Sequence, residues 1–135
     1  MKKLFIPLIV LFTTFQLTSC NDDDDVLEDV NINFVYPTNG QQIDLADAEE
    51  FEFKVVVTAD KDLHDIFFRA FPTENPSDMV VDIKRHRHDT EIEITQVRDL
   101  SAYPSGTEFT MEVDVCIDHD CDKTPVQESI TFSIE

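Results

Sequence analysis

Four histidines, His64, His86, His88 and His119, are the side chains of this sequence best suited to chemistry. His86-Arg87-His88 places imidazoles at i and i+2. In extended chain both point to one side, about two strand rises apart, an arrangement that suits two nitrogens on one metal ion. Carboxylates crowd the same stretches: Asp60, Asp62 and Asp65 flank His64, Asp89 follows His88, and Asp118, Asp120 and Asp122 alternate around His119. The candidate ligand set is therefore His64, His86, His88 and His119 with Asp118 and Asp120, and any of these seven carboxylates could finish the coordination sphere or orient the imidazoles from behind. Imidazole with carboxylate suits Zn²⁺ or Cu²⁺, and haem takes one or two histidines as axial ligands.

Calcium fits less well. Asp118, Asp120 and Asp122 follow the spacing of an EF-hand loop, but Lys123 stands where the sharp turn needs Gly and Ser129 where a bidentate Glu is expected. A weak, partial Ca²⁺ site is all that spacing supports. Cys116 and Cys121 form a pair across a short loop. In an oxidising compartment the default is a disulfide, whose six-residue ring is worth roughly 2 kcal/mol on the loop-entropy model. The alternative is a pair of thiolates on a soft metal, which needs both cysteines reduced. No GxSxG, no glycine-rich phosphate loop and no HExxH occurs, so the reading is of a binding protein, not an enzyme.

The amino-terminal residues supply an address. Lys2 and Lys3 precede an apolar run, Leu4 to Leu17, too short to span a bilayer, and Leu17-Thr18-Ser19-Cys20 puts small residues before a cysteine. This resembles the bacterial lipobox, which implies lipidation of Cys20 after removal of residues 1–19. Asp22 to Asp25 follow directly, as a solvated tether would. A short acidic run behind the lipidated Cys also resembles the surface-export tag of Bacteroidota lipoproteins, which implies the outer face of the outer membrane. The expected plan is a signal peptide at 1–19, lipidated Cys and tether at 20–29, and one domain at 30–135. The signal holds two of the ten basic residues and none of the 29 acidic ones, so the remainder has eight against 29, a formal charge of −21. That field disfavours nucleic acid and draws cations and basic protein patches.

The elements that must position the histidines read as strands. From Val30 onward apolar residues recur at period two, giving candidates at Val30–Tyr36, Phe51–Thr58, Asp65–Phe71, Met79–Arg85, Thr90–Val97, Thr107–Ile117 and Val126–Ile134. Seven short strands in about a hundred residues predict an all-β, seven-stranded Ig-like or fibronectin-type antiparallel sandwich. In such a sandwich the loops after the second, fourth and sixth strands share one end. All four histidines fall in those loops or beside them.

The segment Leu100-Ser101-Ala102-Tyr103-Pro104-Ser105-Gly106-Thr107-Glu108-Phe109 resembles the corner of fibronectin type III domains at which strand E gives way to F. Phe109 takes the aromatic position, so a corner hydroxyl would have to come from elsewhere, with Tyr103 a candidate. With the lipobox, the acidic run and the HxH strand, the chain resembles small Bacteroidota surface lipoproteins that carry an Ig-like domain of unknown function. His86 and His88 match the histidine-bearing strand of those proteins, and Asp118 matches the Asp closing a later strand. Here His119-Asp120-Cys121 replaces the Gly-Asn turn that follows it in them. The expected function is non-enzymatic binding at the surface, of a metal or metal complex at the histidines, in the service of an outer-membrane transporter or another surface protein. The alternative is adhesion or scaffolding on protein or glycan.

Overall fold

Each strand's apolar face must be covered, and two sheets packed face to face cover all of them together. The computed structural model describes residues 30–118, 121 and 125–135 and holds eight strands: β1 (Val30–Tyr36), β2 (Gln41–Ile43), β3 (Phe51–Ala59), β4 (Asp65–Pro72), β5 (Val81–His86), β6 (Glu91–Arg98), β7 (Glu108–Cys116) and β8 (Val126–Ile134). One sheet has the order β1-β3-β6, the other β2-β8-β7-β4-β5. Pairing is antiparallel throughout except where β2 runs parallel to β8. The fold is a sandwich of the expected class. The expected signal peptide at 1–19, Cys20 and the expected tether lie outside the described residues, as do His119, Asp120, Asp122 and Lys123.

Two features differ from the sequence reading. The eighth strand, β2, follows the turn at Pro37–Gly40, where Gly40 takes φ 74°, a conformation that costs glycine little. That turn moves the chain from the β1 sheet to the other. Gly40 N–H donates to the Thr131 carbonyl at 2.7 Å, and the Asn39 side chain accepts from Thr131 N–H at 3.1 Å. Three residues carrying one buried apolar side chain, Ile43, leave no period for a sequence pattern to show. The other difference is the Tyr103 hydroxyl, which donates to Asp78 Oδ2 at 3.0 Å in the β4–β5 connection, not to the corner it belongs to. The corner's own groups close it: Gly106, at φ 90°, donates to the Ile134 carbonyl and the Thr107 hydroxyl to the Pro104 carbonyl, each at 2.7 Å.

Between the sheets, Phe132 lies flat between Phe51 and Phe109, with ring centroids 5.4 and 5.1 Å away, and Phe53 meets Phe132 edge-on at 5.9 Å. Aromatic pairs in these geometries add to the burial energy of the rings. Two leucines outside the strands, Leu63 and Leu100, are fully buried and plug opposite ends of the sandwich.

Candidate functional site

Topology gathers the end of β3, both ends of the β5–β6 crossing and the start of the β7–β8 connection at one pole. Backbone hydrogen bonds lash these segments together. Leu63 N–H donates to the Asp89 carbonyl at 3.0 Å, His64 N–H to the Cys116 carbonyl at 3.0 Å, and Arg87 N–H to the His64 carbonyl at 2.9 Å. His64 is thereby held between the segment bearing His88 and the end of β7, with Leu63 sunk in the core beneath it.

Three of the four histidines meet there. Ring centroids are 4.8 Å apart for His64 and His88, 5.0 Å for His86 and His88, and 6.3 Å for His64 and His86. A tetrahedral ion bound at 2.0–2.1 Å by three imidazoles sets their centroids about 5 Å apart; the two spacings that involve His88 match such a centre, and the 6.3 Å between His64 and His86 is wider than it. Orientation is a separate matter. His88 stands edge-on to both other rings, at interplanar angles of 88° and 90°, and among the described residues no three His, Cys, Asp or Glu side chains are arranged to hold a metal ion. Turning imidazoles about χ2, a broad and soft torsion, is the motion that would aim their nitrogens at a common point.

His86 already carries an orienting partner. Asp65 faces His86 directly across β4 and β5, and its Oδ1 lies 2.8 Å from His86 Nδ1. Oδ2 takes a bond of 2.7 Å from Lys84 Nζ, whose ammonium also stands 5.1 Å over the Phe67 ring. Those bonds, from Lys84 first and then His86, hold the Asp65 carboxyl below the usual carboxylate range despite its burial. An ionised carboxylate only accepts, so His86 Nδ1 is the donor. The lone pair of the neutral ring is then on Nε2, as in metal sites where a carboxylate backs the liganding histidine.

Asp65 also faces Cys116 on β7, so His86, Asp65 and Cys116 form one row across three strands on the outer face of the larger sheet. Cys116 is bonded to Cys121, with Cα atoms 5.2 Å apart. Asp118 lies two residues beyond β7 at the same pole, with one carboxylate oxygen buried. His119 and Asp120 belong to the connection that follows and fall outside the described residues. Sequence reasoning placed Asp65 among seven carboxylates at this pole without distinguishing it; only its register opposite both His86 and Cys116 does so. Leu63, fully buried beneath His64, is not legible in the sequence, since a lone Leu in a polar loop has no pattern around it.

A groove of about 670 Å³ at the opposite pole is lined by Pro72, Asn75, Asp78, Tyr103 and Glu108 among others. Its size suits a small ligand, but it has no imidazole or thiol in its lining. The chemistry-bearing pole is the histidine one. Compared with known proteins, the chain matches no protein-family model and no curated protein.

Proposed function

We propose that this chain is a lipid-anchored, non-enzymatic binding protein of the outer membrane, displayed at the cell surface, whose histidine pole takes a transition-metal ion or metal complex. The observation that carries this reading is the meeting of His64, His86 and His88 at 4.8–6.3 Å, with Asp65 backing His86. Zn²⁺ and Cu²⁺ suit such a donor set, and the −21 charge of residues 20–135 raises the local concentration of either. Chain direction supports a membrane partner. Val30 pairs with Ala59, so the polypeptide enters the domain at the histidine pole, and the ten residues from Cys20 to Val30 reach at most about 35 Å. An anchor at Cys20 thus keeps this pole close to the bilayer, where a transporter would exchange the metal.

Titration calorimetry with Zn²⁺ and Cu²⁺ tests the site. One saturable site is expected in the processed protein, residues 20–135, and its loss in the His86→Ala, His88→Ala double variant. Bound ion should stabilise the fold by about 2.7 kcal/mol at a hundredfold excess over Kd. Diffuse attraction of cations to the negative surface does not need the histidines, so equal binding by both proteins would sink the reading. The adhesion reading has one observation in its favour, the groove beneath Tyr103 at the pole facing away from the anchor. A glycan or protein ligand retained by the double variant and lost by Tyr103→Ala would support it.

A further inference from the structure

The row His86–Asp65–Cys116 sets a disulfide beside the histidines. Residues directly opposite on neighbouring strands project to the same face, so the Cys116 sulfur stands on the face that carries Asp65 and His86. His86 and Cys116 are two strand spacings apart, about 10 Å. An imidazole, a thiolate and one metal bond to each together reach about 10 Å, so one ion above Asp65 can touch both. His64 N–H donates to the Cys116 carbonyl, which ties the loop that carries His64 to the same strand end. In the oxidised protein the Cys116 sulfur is held by Cys121.

We propose that opening the Cys116–Cys121 disulfide adds a thiolate to the histidine pole and turns an imidazole and carboxylate site into one for a thiophilic ion, Zn²⁺ or Cu⁺. The reductant is a dithiol. It gives up two hydrogens and leaves as its own disulfide, while Cys116 and Cys121 each gain an S–H. When the ion binds, the Cys116 proton passes to solvent and a metal–sulfur bond replaces S–H. Soft thiolate favours Zn²⁺ and Cu⁺ over the hard cations that the acidic surface attracts. The disulfide therefore sets which metal, and how tightly, the pole holds. This inference rests on the histidine reading given above, with Cys116 as the added ligand and Asp65 between it and His86.

Cobalt is the probe for the ligand and zinc for affinity. The processed lipoprotein, residues 20–135 with the Cys20 sulfur held by lipid and no affinity tag, is compared oxidised and after treatment with dithiothreitol, which is then removed under argon. Co²⁺ should give a thiolate-to-metal charge-transfer band in the near ultraviolet only in the reduced protein. Cys121→Ser, which leaves Cys116 free, should give the band without reductant, and Cys116→Ser should not give it. Zn²⁺ competition against a chromogenic chelator should show binding about tenfold or more tighter on reduction. If the band is absent from reduced protein and from Cys121→Ser, and zinc affinity is unchanged, the proposal is overturned. In that event the histidine reading survives provided that His86→Ala with His88→Ala still weakens zinc binding by the oxidised chain. A band and affinity in the reduced chain that persist undiminished in that double variant would overturn the shared site, because the thiols would then be binding alone. Cys121→Ser keeps the test decisive should Cys116→Ser, a change at a buried position, fail to fold.

Discussion

Asp65 is buried and charged, and it joins Lys84, His86 and Cys116 into one patch. Its carboxyl is held below the usual range, so its contribution to stability is fully present above the ordinary carboxylate value, about 3.9, and is lost as pH falls through the depressed one. Urea unfolding of wild type and Asp65→Asn should accordingly show a stability gap that is constant near neutral pH and narrows below about pH 4. A gap that does not change with pH would mean that charge at Asp65 contributes nothing. The same substitution should weaken zinc binding by about 10- to 100-fold, the usual cost of losing the carboxylate behind a liganding histidine. Calorimetry on Asp65→Asn measures it.

At the scale of elements, the histidine pole depends on loops fastened to a rigid sandwich. Arg69 on β4 pairs with Glu112 and Asp114 on β7, fixing the outer face of the two strands that carry Asp65 and Cys116. Leu63 anchors the β3–β4 loop from inside, and Leu100 does the same for the β6–β7 connection at the far pole, where its N–H donates to the Ala48 carbonyl at 2.8 Å. Truncating either to Ala removes a fully buried side chain and should cost about 2–5 kcal/mol in chemical denaturation. Zinc separates the two. Leu63→Ala should weaken the site, because His64 loses its footing, whereas Leu100→Ala should leave the affinity of the folded protein unchanged. Equal effects on zinc would show that the β3–β4 loop does not position the site.

For the whole molecule, the relation to test is that between the proposed anchor at Cys20 and the histidine pole. Cys20→Ala should abolish incorporation of labelled lipid and slow removal of the signal, as read by metabolic labelling and by size on a gel. Protease added to intact cells then tests sidedness. Cleavage of the domain without permeabilisation is expected from surface display, and full protection until the outer membrane is opened would exclude it.

Seven of the strands were legible in the sequence because a half-buried strand writes its burial into every second residue, as in Phe51, Phe53, Val55 and Val57. That strand count alone brought the histidine-bearing loops to one end, since antiparallel connections alternate between poles. β2 was not legible, being too short to show a period and held by backbone bonds to β8 that any side chains would permit. Register was not legible either. Which carboxylate stands opposite His86, and that the same one stands opposite Cys116, depends on how β4 slides between β5 and β7, and that is decided by the packing of Ile66, Phe68 and Ala70 against the core. The local alternation of residue types thus determined the fold class and the end of the sandwich at which His64, His86 and His88 gather. The distances among His64, His86 and His88, and the choice of Asp65 as the partner of His86, came only from tertiary structure, because both arise from contacts between segments with no sequence pattern in common.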